Sequence, residues 1–392
     1  MKASRIVGLT LALLAVLAAG LWIGGHPATM PEQLRDVFVD EAGGLTAEVT
    51  ELIEDNYYRP VSEEELIDSS LQGMVRGLRR SNRDRFSEYF SPTALVRFNE
   101  EIAGRFSGVG LSVTGVRTGL RVSEVFEGSP AERGGIEPGE TVVSVDGRSI
   151  AGLGSAQATA LIKGPEGTEV TVGVRSRGGE VRQLRLVRAE ISVPVVSSRM
   201  ETVDGEKLGY ARLAAFSEGV HGALREAVER LQRRGARGLV LDLRANGGGL
   251  LEEAVLSASI FLPEGATVVS TESRSQGSAV YEAKGGNLPP LPIVVLIDRG
   301  TASAAEILAA ALHDDAGAEI VGTRSFGKGV FQQEIGLSNG GALKLTVGEY
   351  FTPDGRNLAG DGIHPDVRAS DLPATPRDEA RERALGVLAA QQ

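Results

Sequence analysis

The chain has 392 residues, enough for two or three domains with a packed core. It contains no cysteine, which excludes disulfides and thiolate metal sites. The net charge of −11 argues against a nucleic-acid partner.

Lys2 and Arg5 precede an uncharged, mostly apolar run from Ile6 to Ile23. Residues 1–25 therefore read as a cleaved signal peptide or a retained membrane anchor, short for a spanning helix. Ala18-Ala19-Gly20 offers a small-residue cleavage site. Positive charge ahead of the run places the rest outside the cytoplasm, on the periplasmic or extracellular face of a membrane.

Residues 30–106 carry a helical pattern. Leu45, Val49, Leu52 and Ile53 recur at helix spacing, as do Leu66, Leu71, Met74, Val75 and Leu78. Pro60 divides the two runs, and Ser62-Glu-Glu-Glu65 has the form of a capping box. No chemistry is visible here; the reading is a helical arm for packing or for a homodimer.

From 107 to 188 the texture changes to short β-like runs split by glycines. Gly108-Val-Gly-Leu-Ser-Val113 opens the segment. Gly128-Ser-Pro-Ala-Glu-Arg-Gly-Gly-Ile136 and Pro138-Gly-Glu-Thr-Val-Val-Ser-Val-Asp-Gly147 follow. The whole segment resembles a PDZ domain. That resemblance implies peptide capture by strand addition near Val109 to Val113, with the backbone of Gly108, Val109, Gly110 and Leu111 holding a terminal carboxylate. The plainer reading is a small β-domain whose glycines only make turns.

Residues 191–370 return to longer elements. Leu208 to Leu213 reads as a strand, and Val220, Leu224, Val228 and Leu231 form a helical stripe. Gly238 to Arg244 is a buried strand, followed by Asn246-Gly-Gly-Gly249 and a helix from Leu250 through Phe261. Ile293 to Ile297 is a second buried strand, then a polar turn, then a helix opening near Ser303 with Ile307, Leu308 and Ala311 on its apolar side. Two strand–loop–helix units of this kind are candidates to lie side by side. A phosphate-cradling loop is not indicated, since no GxGxxG and no Lys-Ser/Thr pair follows the glycines. After Val347 come a strand, a turn and a closing loop, and beyond Asp371 a charged, Ala-rich tail, 371–392, that reads as a helix or a frayed end.

A serine hydroxyl needs a base. Of the histidines, His26 borders the export segment, His221 starts an amphipathic helix and His313 lies near the end of the helix after Ser303. His364, in Asp361-Gly-Ile-His-Pro-Asp366, admits a Ser-His-Asp or metal reading, though carboxylates beside a His in a turn are commonly turn formers. Lys is the other option, provided the amine is neutral. The lysines are Lys2, Lys163, Lys207, Lys284, Lys328 and Lys344, and Lys328 sits in a glycine-flanked turn, Phe326-Gly-Lys-Gly329. Each residue has a plainer reading. Ser303-Ala-Ala-Glu306 is a capping box, so Ser303 could only cap its helix, and Lys328 could be a solvated turn lysine.

Four ordered stretches carry a resemblance to the C-terminal processing peptidases, or tail-specific proteases. They are Leu241-Asp-Leu-Arg-Ala-Asn-Gly-Gly-Gly-Leu-Leu251, Gly300-Thr-Ala-Ser-Ala-Ala-Glu-Ile307, Ser325-Phe-Gly-Lys-Gly-Val-Phe-Gln332, and Tyr350-Phe-Thr-Pro-Asp-Gly-Arg356 with Gly362-Ile-His-Pro-Asp366. The family also has a helical N-terminal region and an inserted PDZ domain in this order. The resemblance implies a multidomain α/β fold: helical arm, PDZ β-domain, and an α/β peptidase core of crotonase-like type. It implies an endopeptidase with no cofactor or metal, acting on protein or peptide C-termini. By it Ser303 is the nucleophile, Lys328 the general base, and Gln332 the residue that holds the lysine amine. The oxyanion hole would use the N–H groups of Ala304 and of the glycine loop, Gly248 being chosen over Gly249. The chain departs from the family in two places: Asn246-Gly-Gly-Gly249 stands where Asn-Pro-Gly-Gly is usual, and Ser81 to Phe90 lacks the usual Asp-Pro-His. The rival readings are a non-catalytic PDZ peptide-binding scaffold and another acyl-transfer enzyme of crotonase type.

Overall fold

The computed structural model describes residues 41–371, 375 and 377–392. The expected export segment, 1–25 with its apolar run 6–23, lies outside the described residues. Among the described residues no helix is long and apolar enough to cross a membrane. The chain divides into two compact units, Met1–Tyr89 and Phe90–Gln392.

The first unit contains α1 (Glu41–Asn56) and α2 (Glu63–Asn82). The capping box at Ser62 is formed: its Oγ accepts the Glu65 N–H at 3.2 Å, and the Glu65 carboxylate accepts the Ser62 N–H at 3.5 Å. This satisfies N–H groups that helix geometry leaves without partners. Leu45, Leu52 and Met74 of the two apolar stripes stay exposed.

The second unit opens with α3 (Pro92–Ala103), so the helical N-terminal region of the sequence reading is split between the units. A two-stranded ribbon, β1 (Arg105–Gly108) against β7 (Ala189–Ser192), then carries the β-domain. Its sheet has the order β2 (Leu111–Val116), β3 (Gly119–Val125), β4 (Thr141–Val145), β5 (Glu169–Arg175), β6 (Val181–Val187), all antiparallel. The short helix α4 (Pro130–Arg133) and α5 (Ser155–Ile162) complete it. Val109, Leu120, Val142, Val172 and Ile162 are buried together in a core separate from that of the rest of the unit. The strand β2 is an edge strand, with pairing capacity left on one side.

The remaining residues build two sheets. One has the order β8 (Val196–Val203), β9 (Glu206–Leu213), β10 (Leu239–Asp242), β13 (Ile293–Ile297), β14 (Glu319–Gly322), β17 (Val367–Arg368). Its first pair is antiparallel and the others are parallel. Strands β10 and β13 are fully buried, as their continuous apolar runs require in a parallel sheet covered on both faces. Helices α6 (Val220–Arg233), α7 (Leu251–Ala258) and α8 (Ala304–Ala316) contribute to one core, and α9 (Glu379–Ala389) to a second. The second sheet runs β15 (Val330–Gly336), β16 (Ala342–Phe351), β11 (Thr267–Ser273), β12 (Gly277–Glu282), all antiparallel. The two strand–loop–helix units are neighbours: β10 pairs with β13, bringing the glycine loop beside the turn before α8.

The Ala-rich tail forms an ordered helix. Ala380, Ala384, Leu385 and Leu388 of α9 are buried against the central strands. Arg244 anchors the segment, its guanidinium paired with Asp242 at 2.7 Å and with Asp378 at 2.8 Å.

Candidate active site

Ser303 ends the turn after β13. Its backbone sits at φ 58°, ψ −122°, a conformation that non-glycine residues rarely adopt. Asp298 builds the turn: one carboxylate oxygen accepts the N–H groups of Gly300 and of Ala245, each at 2.8 Å. Ala302 N–H donates to Asn246 C=O at 2.9 Å, and Thr301 Oγ1 donates to Leu243 C=O at 2.8 Å. The serine turn and the glycine loop are thus stitched into one piece. Strain at a nucleophile persists only where its surroundings over-determine it, as they do here.

The Ser303 hydroxyl does not cap α8. Only half of the expected capping box forms: the Glu306 carboxylate accepts the Ser303 N–H at 2.9 Å, while the serine side chain makes no cap bond. That leaves the hydroxyl at the positive end of a helix and available for chemistry. The helix is buried from Ala304 through Leu312, because small alanines let neighbours approach on every side.

Glu306 is fully buried. A buried carboxylate is costly unless hydrogen-bonded, and this one has four donors. Oε1 accepts Gly327 N–H at 2.8 Å and the Ser325 hydroxyl; Oε2 accepts Ser303 N–H at 2.9 Å and Lys328 N–H at 3.0 Å. The backbone nitrogens of Ser303 and Lys328 therefore share a single oxygen atom. The structure brings together the two residues that the sequence left 25 positions apart.

The lysine turn is held from its other side as well. Gly327 C=O accepts Gly360 N–H at 3.0 Å, and Gly329 C=O accepts Tyr350 N–H and Asn357 Nδ2, both at 3.1 Å. A side chain at Gly329 would lie 2.2 Å from Asn357 Oδ1, so the glycine is a packing requirement. The Lys328 pKa is lowered to about 8, first by burial and then by the positive charge of Lys344, with Glu306 opposing. Lys344 lies over the Phe98 ring at 4.6 Å. On β16 a bulge near Val347 breaks the alternation, so Lys344 and Thr346 lie on one face with Gln332, and Tyr350 lies on the other. Gln332 pairs with Thr346 in register, and its Nε2 donates to Thr346 Oγ1 at 3.3 Å.

In the glycine loop, Asn246 is fully buried; its Nδ2 donates to Leu213 C=O and its Oδ1 accepts Gly248 N–H, both at 2.9 Å. The donor chosen from sequence is thus engaged by the asparagine two residues earlier, an Asx turn that the Asn-x-Gly spacing permits. Gly248 still abuts the site: an added Cβ would lie 2.9 Å from Ser303 Cβ and 3.0 Å from Ala304 N. Gly249 bridges to Phe216 through its neighbours, Gly248 C=O and Leu250 N–H, which turns its own N–H away from Phe216.

The other candidates lie elsewhere. His364 is exposed, with Nε2 on Asp361 at 3.0 Å, and His221 Nδ1 is paired with Glu253 at 2.8 Å. Among the described residues no cluster of His, Asp and Glu could hold a metal ion. In the β-domain, Gly108, Val109, Gly110 and Leu111 line one groove with Phe106, Phe126 and Lys163, and Lys163 is paired with Glu100 of α3. From sequence Glu306 reads only as half of a capping box, and Asn246, Asp298, Tyr350 and Lys344 carry no role, although all but Asp298 and Lys344 sit inside the four family stretches.

The model of peptidase family S41 matches residues 207–369, and that of the PDZ domain matches residues 98–175. The carboxy-terminal processing protease CtpA of Bacillus subtilis is 34% identical over 323 residues, covering 82% of this chain and 68% of that protein. The chain belongs to peptidase family S41. It is a serine-type peptidase by family, with a PDZ domain ahead of the peptidase core. A probable CtpA-like serine protease of Staphylococcus aureus is 35% identical over 326 residues, covering 81% of this chain but only 63% of that protein. Among solved structures, the photosystem II D1 C-terminal processing protease matches with a TM-score of 0.50 at 31% identity, covering 89% of this chain and 98% of the other.

Proposed function

We propose that this S41 peptidase is an exported endopeptidase that recognises protein C-termini through its PDZ groove and cleaves by a Ser-Lys mechanism. The observation that carries the reading is the pair of turns joined by Glu306: nucleophile and lysine backbones on one oxygen, with the lysine amine pushed toward neutrality.

In the proposed reaction, neutral Lys328 Nζ takes the Ser303 proton as Oγ attacks the scissile carbonyl. Ala304 N–H and a glycine-loop N–H stabilise the oxyanion. With Gly248 N–H held by Asn246, Gly249 N–H serves as that second donor unless the loop shifts. The lysine ammonium then protonates the leaving amine, and water, deprotonated by Lys328, hydrolyses the acyl-enzyme. Gln332 donates to Thr346 through Nε2, which leaves its Oε1 as an acceptor for the Lys328 amine.

Export follows from the apolar run at residues 6–23, uncleaved or cleaved, and the exposed stripe on α1 and α2 suits a homodimer. The test is cleavage of an unstructured protein by the purified full chain. Ser303→Ala and Lys328→Ala should each abolish it. Cleavage surviving Lys328→Ala would refute the Ser-Lys mechanism, and no cleavage by the wild type at any pH would refute the peptidase reading for this chain.

A further inference from the structure

Tyr350 is 2% exposed, on the face of β16 opposite Thr346 and Lys344. Its N–H bonds the lysine turn at Gly329, and its ring belongs to the core that includes Ala304 and Ala305 of the nucleophile helix. Among the described residues its hydroxyl has no partner in hydrogen-bonding geometry. Yet it lies close enough to the Ser303 side chain for the two to interact. A buried hydroxyl without a partner costs stability, so one facing a nucleophile calls for an explanation.

We propose that the Tyr350 hydroxyl is a further catalytic group, a hydrogen-bond donor to Ser303 Oγ during acylation and deacylation. The inference rests on Ser303 being the nucleophile. A serine hydroxyl carries one proton and two lone pairs. When Tyr350 donates to one lone pair, the serine rotor is fixed and its proton is free to point at Lys328. As that proton moves to the lysine, negative charge grows on Oγ and the phenol bond strengthens. On breakdown of the second tetrahedral intermediate, Oγ is the leaving group and the same donor meets it. Tyr350 keeps its own proton throughout; the proton that moves in acylation is the one from Ser303, to Lys328 and then to the leaving amine. Burial, and then the negative charge of Glu306, hold the phenol pKa well above its ordinary value, which suits a donor that never ionises. Glu306 cannot be its partner in place of Ser303, because both carboxylate oxygens are already occupied by two donors each.

The test is the rate at which a small fluorophosphonate labels Ser303, read by intact mass, alongside steady-state cleavage. The probe bypasses the peptide groove. Tyr350→Phe should slow labelling and kcat by about 10-fold to 100-fold, the size expected for one lost donor. KM should stay within about twofold, the acidic limb of the pH profile should not move, and the melting temperature should hold or rise. Labelling at the wild-type rate in folded Tyr350→Phe overturns the proposal while leaving the nucleophile intact. A wild type labelled at a residue other than Ser303, with Ser303→Ala labelled equally, overturns the nucleophile reading and this proposal with it. Should Tyr350→Phe melt below the assay temperature, fluorotyrosine in place of tyrosine keeps the ring and strengthens the donor. Labelling should then accelerate by about twofold or more, and an unchanged rate overturns the proposal.

Discussion

Glu306 and Lys328 meet through one hydrogen bond, the lysine N–H donating to Glu306 Oε2 at 3.0 Å, on the oxygen that also accepts the Ser303 N–H. A capping carboxylate has become the joint between two catalytic turns. Glu306→Gln places an amide NH2 among N–H donors, so at least one of them loses its acceptor. We expect a loss of about 1–3 kcal/mol in stability and of about 100-fold in kcat/KM from misplacement of the pair. The neutral side chain also removes the one influence that raises the Lys328 pKa. The acidic limb of the residual activity should therefore move to lower pH. A limb moving to higher pH would show that Glu306 does not act on the amine.

The Lys328 amine must be neutral to accept a proton, and its pKa is lowered from 10.5 to about 8. Activity should rise with pH through that value, with about a tenth of the amines neutral one unit below it. For stability the sign follows from a folded pKa below the unfolded one. Below about 8 the folded state carries an unfavourable proton on a desolvated amine, and stability grows as pH rises from there toward 10.5. Lys328→Met should accordingly raise the melting temperature at neutral pH while abolishing cleavage. A melting temperature lowered at neutral pH would contradict a desolvated amine.

Strand and helix assignments that rest on strong patterns agree with the structure. Ile293 to Ile297 is a strand over the same residues, and Val220, Leu224, Val228 and Leu231 face the core together, because burial of an apolar run leaves a direct periodic trace. The pairing of Glu306 with Lys328 leaves no such trace. It depends on a turn 22 residues downstream folding back onto the helix, and a Ser-x-x-Glu spacing reads the same whether the carboxylate caps or clamps. The engagement of Gly248 N–H by Asn246 was legible in the Asn-x-Gly spacing, whereas the burial of Tyr350 beside Ser303 arises from strand register and was not. The placement of α9 escaped because half of its buried side, Ala380 and Ala384, is alanine, which marks a core face only weakly.

Lys344 is the second cause of the lowered Lys328 pKa, a like charge held in place over the rings of Phe98 and Phe90. A neighbouring cation is one of the few ways to activate a lysine as a base. Lys344→Met keeps the length and apolar packing of the side chain and removes the charge. The acidic limb of kcat/KM should move to higher pH, so the variant is slow at neutral pH and recovers toward the wild type in alkali. A uniform loss at every pH would instead assign Lys344 to packing alone.

Gly247 occupies the position where the family usually has proline. An added Cβ meets no atom within 4 Å, and φ is not in the positive range. Among the described residues the Gly247 N–H makes no hydrogen bond that proline would remove. Its neighbours are different: a Cβ at Gly248 would lie 2.8 Å from Ala302 C=O, and one at Gly249 2.3 Å from Phe216 C=O. Proline narrows the unfolded ensemble, so Gly247→Pro should stabilise the protein by about 0.4–1 kcal/mol. By stiffening the oxyanion loop it should also raise kcat with little change in KM, since the gain falls on transition-state donors. Gly248→Ala and Gly249→Ala should lose activity and stability together. Melting curves and steady-state kinetics on the three variants decide the matter: a destabilised, inactive Gly247→Pro would mean that the loop must move during the reaction, and that its freedom in this chain serves turnover.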